Sequence, residues 1–176
     1  MDEQKVNIGD LMQSLIQGSQ SFLESEVGVS VTEINCLYEP VSTLNLSYLT
    51  SLISVNSDIN MFFAFSFEKE LIFSILREMT QDIEYTEDEE GEFMESAATE
   101  MLNIVVGNAS VFFAPGGNRI SFSPPVVIKE GKSMMKSQKT IFYSSVVQTN
   151  YGSLYIHLIG PRQLFDEQLN YQEEVK

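Results

Sequence analysis

Glu92, Ser96, Glu100, Asn103 and Gly107 follow one another at spacings of 4, 4, 3 and 4 in the stretch ESAATEMLNIVVGNAS and just before it. In a helix, residues three and four apart stand one above another, so these five would form one narrow stripe. The stripe could do chemistry. Glu100 can pair with a lysine or accept a proton. Asn103 offers both a donor and an acceptor and can hold a water molecule in a fixed orientation. Gly107 leaves the far end low enough for another surface to approach. The same pattern also fits an ordinary solvated helix face, because Glu and Asn three apart are common and Asn is a poor helix former.

The residues around the stripe must position it. Ala97, Met101, Ile104 and Val105 share one side of the predicted helix, and Leu102 and Val106 the other. Both flanks are apolar, which predicts a helix that is mostly buried and leaves only the stripe for solvent or a partner. Thr86 with Glu89 three residues on matches a capping box and predicts a start near Glu87. The acidic run EYTEDEEGEFME, Glu84 to Glu95, then falls in the first turns, where the macrodipole favours negative charge.

Upstream, Ile8, Leu11, Met12, Leu15, Ile16 and Phe22 predict an amphipathic helix over residues 8–24. The alternation of Val27, Val29 and Val31 predicts a strand. LSYLTSLISVNSD and INMFFAFSFEK predict a hairpin turning at Asn56–Asp58. Leu71, Ile72, Ile75 and Leu76 predict a helix over 68–80. After the motif helix, APGGNR at 114–119 reads as a turn, and RISFSPPVVI, TIFYSSVVQTN and GSLYIHLIG read as strands, the last two joined at Asn150–Gly152. The order is helix, three strands, two helices, three strands. Sequential hairpins favour antiparallel pairing with the helices packed on the sheet: an α+β class, one domain over 1–160, and a polar tail over 161–176 that forms a weak terminal helix or frays.

Composition bounds the function. The 176 residues are 43% hydrophobic and 20% charged, a globular profile. A net charge of −15 repels phosphate backbones and argues against nucleic acid. No apolar run is long enough to span a bilayer, no basic and apolar leader opens the sequence, and a single cysteine, Cys36, cannot form an internal disulfide. The expectation is a soluble, cytoplasmic protein without a membrane partner. No glycine-rich phosphate loop follows a strand, which disfavours a nucleotide fold. Cys36 reads as a small buried hydrophobe, and the lone His157 as a structural strand residue, since no Cys, Ser and Asp arrangement surrounds it. Phe62, Phe63, Phe65 and Phe67 read as core and sheet packing. Lys129, Lys132, Lys136 and Lys139, like the acidic run, read as solvated surface. Met134 and Met135 read as loop residues and a candidate contact.

The motif helix resembles the signature of the CheC/CheX/FliY chemotaxis phosphatases: Ser or Asp, Glu four residues on, Asn three further, and a more distal Pro. Ser96, Glu100 and Asn103 are followed here by GNA at 107–109 and by SPPVVI, where Pro125 fits the distal proline best. The signature occurs once, which resembles CheX more than the two-copy CheC and FliY types. The resemblance implies a CheC-like domain from the first helix to Ile159. It implies hydrolysis of the phospho-aspartate of a CheY-like response regulator. Asn103 would orient the attacking water and Glu100 would pair with the receiver's active-site lysine. Ser96 and Pro125 would support them, with Gly107 on the docking face. It implies no cofactor of the chain's own, Mg2+ being supplied by the receiver, and it implies a homodimer, although no heptad or obvious apolar patch marks one. Two other readings use the same fold: a non-catalytic receiver-binding module, and a structural part of the flagellar switch.

Overall fold

The computed structural model describes residues 7–56, 60–112, 120–135 and 138–161, with side chains excepted at 37–40. The first helix, α1, runs Ile8–Ser21. Asn7 caps it, its side-chain oxygen accepting from the Asp10 N–H at 3.1 Å. A π-helical turn, Phe22–Glu26, ends it and buries Phe22 and Leu23. The strands β1 (Val31–Val41), β2 (Thr43–Asn45), β3 (Leu49–Asn56) and β4 (Asn60–Phe67) follow, then α2 (Lys69–Met79) and α3 (Glu90–Asn108), and finally β5 (Ser121–Phe122), β6 (Val126–Lys129), β7 (Ser133–Met135), β8 (Thr140–Thr149) and β9 (Gly152–Pro161).

The α+β expectation holds, with an antiparallel sheet of order β1-β8-β9-β4-β3-β5 and β6 also paired to β3. The β3–β4 and β8–β9 hairpins fall where the alternation placed them. Part of the Asn56–Asp58 turn, the 114–119 turn and the tail beyond Pro161 lie outside the described residues.

Alternation explains the layers. Phe63, Phe65 and Phe67 point to one face of the sheet, as do Leu49, Ile53 and Val55 on β3, and Leu154, Ile156 and Leu158 on β9. They join the buried residues of all three helices in one core. The intervening residues point the other way, where Phe142 and Ile159 pack with Leu44 and Leu46 in a second, smaller cluster. That cluster lies under β2 and β7, which pair with each other antiparallel.

Several local expectations change. Val27 and Val29 are buried but precede β1, so their alternation marks a chain lying along the core and not a strand. RISFSPPVVI is broken: the two prolines lack the N–H a ladder needs, and β5 and β6 pair with different parts of β3 on either side of them. Met134 and Met135 belong to β7 rather than a loop. Cys36 is only half-buried, packed at the margin of the main core. Phe62 is exposed, because its position on β4 points away from the helices.

A carboxylate ties the sheet's far hairpin to the helical layer. Glu68, at the junction of β4 and α2, accepts the Ser153 N–H at 2.9 Å and the Tyr155 hydroxyl at 3.1 Å. Burial, then the charge of Glu68, pushes the Tyr155 hydroxyl pKa up. Gly152 opens β9 at φ +115, a backbone conformation that favours glycine, and a Cβ there would stand 2.7 Å from Glu68 Oε2. Gly152→Ala should therefore destabilise the fold by about 1–3 kcal/mol, read as a lowered urea midpoint. An unchanged midpoint would refute this account of the hairpin.

Candidate functional site

The helix that carries the stripe is held on three sides. Met94, Ala97, Ala98, Met101, Leu102, Val105 and Val106 are buried, in the same core as α1, α2 and the β3–β4 hairpin. Small residues let α1 approach closely: a Cβ on Gly18 would lie 3.1 Å from Val105 Cγ1. The exposed side carries the row, with Ile104 and Asn108 beside its C-terminal half. Ser96, Glu100, Asn103 and Gly107 are all exposed, with Glu92 one turn earlier.

Glu100 and Asn103 sit about 4.5 Å apart along the axis, at 1.5 Å per residue, and share one face. The Ser96 hydroxyl donates back to the Glu92 carbonyl at 2.9 Å, and the Thr99 hydroxyl to the Ser96 carbonyl at 3.0 Å. These bonds keep the polar groups of this turn folded down against the helix. Gly107 is helical, and a Cβ placed on it would meet nothing within 4 Å. Its own fold does not require glycine there.

The helix begins at Glu90, not near Glu87, and the Thr86–Glu89 pair explains the delay. Glu89 does reach back in capping-box fashion, accepting the Thr86 N–H at 2.8 Å. The Thr86 hydroxyl, however, donates to the same carboxylate at 2.9 Å instead of accepting from the helix. The Glu89 and Glu90 N–H groups bond to the Thr86 carbonyl, closing a separate turn. The hydrogen bonds from the Thr86 backbone and then its hydroxyl hold the Glu89 carboxyl below its usual pKa.

Pro125 is half-buried, just before β6, on the sheet edge beside β3. Sequence reasoning missed how β6 joins α3. Lys129, at the far end of β6, forms an ion pair with Glu95, next to Ser96. Hydrogen bonding to Glu95, then its charge, raises the Lys129 pKa. Charge runs of opposite sign were legible in the sequence; their meeting at this one pair was not. Ile104 was also misplaced. It stands beside the stripe and is 39% exposed, because the buried arc of α3 is narrower than the two apolar flanks suggested.

Among the described residues, no three His, Cys, Asp or Glu side chains converge to hold a metal ion. No helix among the described residues is long and apolar enough to cross a membrane. His157 lies away from the stripe, buried on the second face of the sheet. Its Nδ1 shares a 2.7 Å hydrogen bond with the Ser144 hydroxyl. Burial lowers its pKa from 6.5 to about 4.

Residues 49–145 match the family described as chemotaxis phosphatase CheX. Solved structures share the fold at low identity. The chemotaxis protein CheX of Desulfovibrio desulfuricans aligns with TM-score 0.67 at 14% identity, over 85% of this chain and 97% of that one. A CheC-like superfamily protein of a Shewanella species gives 0.65 at 18%, over 87% and 97%. A chain of the CheX–CheY–BeF3–Mg2+ complex of Borrelia burgdorferi gives 0.67 at 14%, over 90% and 99%. No curated protein matches the sequence at a significant level.

The His157 geometry sets an acid limit on the scaffold. The folded imidazole titrates near 4 and the unfolded one near 6.5, so between those values the unfolded chain binds more protons. The contribution is complete above pH 6.5 and is lost as pH falls toward 4, about 3 kcal/mol in all. Chemical unfolding of wild type and His157→Asn at pH 7 and pH 4.5 should show a steeper acid loss for wild type. Equal losses would contradict the buried neutral imidazole.

Proposed function

This chain belongs to the chemotaxis phosphatase CheX family, and from that premise we propose that it hydrolyses the phospho-aspartate of a CheY-like response regulator. The observation that carries the reading is the exposed row Ser96, Glu100 and Asn103 on a helix whose opposite face is buried in the core. It combines the residue types that the resemblance assigns to this chemistry with a setting that fixes their positions.

An aspartyl phosphate is an activated acyl phosphate, so its hydrolysis needs chiefly a water held in line with the bond that breaks. The water oxygen attacks phosphorus, the bond to the aspartate oxygen breaks, and the products are free carboxylate and inorganic phosphate. Asn103 is the catalytic residue in this proposal. Its carbonyl oxygen accepts from the water while its NH2 group can donate to the phosphoryl oxygens. Glu100, one turn earlier, pairs with the receiver's lysine and fixes the helix across the cleft. Ser96 and Pro125 bound the docking face. Gly107 lets the receiver approach the backbone. The magnesium ion belongs to the receiver, in keeping with the related complex, which includes Mg2+ and BeF3 alongside CheX and CheY.

A module that only binds a receiver would need the exposed face but not the carboxamide. Asn103→Ala should therefore lower the rate of phosphate release at saturation on the order of 10²-fold while leaving receiver binding intact. Glu100→Gln should weaken binding. Loss of binding in Asn103→Ala, or no loss of rate, would overturn the assignment of Asn103. Gly107→Ala offers a separate check. Having open space and a helical backbone, it should stabilise the chain by about 0.5–1 kcal/mol while raising the KM for the receiver; a destabilised variant would contradict the open geometry.

A further inference from the structure

Among the described residues, β6 pairs with β3 only, Leu49 opposite Lys129 and Leu52 opposite Val126. Alternation sends Ile128 to the smaller cluster and Val127 to the main core. Lys129, two residues on from Val127, therefore leaves the strand on the helix side. Its backbone is fixed there. Glu130 turns the chain at φ +67, and its N–H donates to the Tyr48 carbonyl at 2.9 Å. From this point the Lys129 ammonium crosses to α3, where it pairs with Glu95. It lies over the first turn, for a Cβ on Gly91 would stand 3.7 Å from Lys129 Nζ. At the other end of β6, Pro124 and Pro125 have no N–H to give a ladder. Ser123 holds that end to β3: its N–H donates to the Ser54 carbonyl and its hydroxyl accepts the Ser54 N–H, both at 2.9 Å.

Two lengths match. Lys129 and Pro125 are four residues apart, about 13 Å at the rise of a strand. Glu95 and Asn103 are eight residues apart, about 12 Å at the rise of a helix. Beside the exposed row runs a second one, Glu95, Thr99, Leu102 and Val106, with the same spacing one residue earlier. All four are half-buried or buried, so this flank of the row is covered along its length. We propose that Lys129 is a positioning residue: paired with Glu95, it pins β6 alongside α3 in the register that sets Pro125 level with Asn103. The inference rests on the phosphatase reading and names what holds the second element of its docking face. Such a pin need not be strong. An exposed pair barely moves the folding equilibrium, yet a displacement of about 1 Å at a positioned group can lower a rate far more.

The test uses the full chain and the CheY-like receiver of the same organism, phosphorylated with acetyl phosphate. Lys129→Ala should lower kcat about fivefold, with KM and the unfolding midpoint unchanged. Lys129→Glu, which sets two carboxylates face to face, should lower it further, and Lys129→Glu with Glu95→Lys should restore it. Lys129→Gln takes the place of either single variant should it fail to fold. Raising ionic strength from about 0.1 M to about 1 M shortens the screening length from about 10 Å to about 3 Å. Wild-type kcat should then fall toward that of Lys129→Ala, and the variant's own kcat should change less. An unchanged kcat in both single variants would overturn the pin. So would a loss that the swapped pair does not recover, since Lys129 would then act by its own charge and not through Glu95. A lowered midpoint in step with kcat would make the pair merely structural and overturn the proposal. Should wild type fail to accelerate phosphate loss, the phosphatase reading fails on its own. Hydrogen exchange over residues 123–129 then decides the pin: faster exchange in Lys129→Ala, reversed in the swapped pair, supports it, and unchanged exchange overturns it.

Discussion

Everything about the candidate site depends on the burial of α3. Seven of its side chains, from Met94 to Val106, enter the core that α1, α2 and the sheet share. A helix seated this way cannot rotate without exposing Met101, Leu102 or Val105, each fully or almost fully buried. Exposing one such side chain costs about 1.5–3 kcal/mol. The exposed row is therefore fixed in direction by the same packing that stabilises the domain. Catalysis by orientation requires that rigidity, since small displacements of a positioning group are expensive in rate.

Charge is arranged along the same helix. The acidic residues gather at the N-terminal end, where the macrodipole tolerates them, and one of them, Glu95, is matched by Lys129 from β6. That pair is largely exposed and contributes little to stability. Its position is more informative than its strength: it links the sheet edge that bears Pro125 to the turn of α3 that bears Ser96. The proposed docking face is thus built from two elements, a buried helix and an edge strand.

Much of this was legible from residue spacing. The 3.6-residue period exposed α1, α2 and α3, and the two-residue period exposed both long hairpins, because each element buries one continuous face. The Ser96–Glu100–Asn103 row was legible for the same reason. Other features depended on tertiary context. Nothing in the alternation of Val27 and Val29 says that they line a core without pairing. The prolines in SFSPPVV signal an interruption, yet not that both halves pair with β3. Ile104 looks like core in a helical projection, and only the placement of neighbouring elements shows that the buried arc stops short of it. The small β2–β7 sheet was invisible because three-residue strands are too short to show a period.

The most direct test of the account is a single-turnover experiment. The phosphorylated CheY-like receiver is mixed with an excess of this chain, binding is monitored independently, and release of inorganic phosphate is followed in time. Phosphate is expected to leave faster than from the receiver alone, with an acceleration that saturates with binding. A receiver that is fully bound yet loses phosphate at its own intrinsic rate would contradict the central claim and leave the exposed face of α3 as a binding surface only.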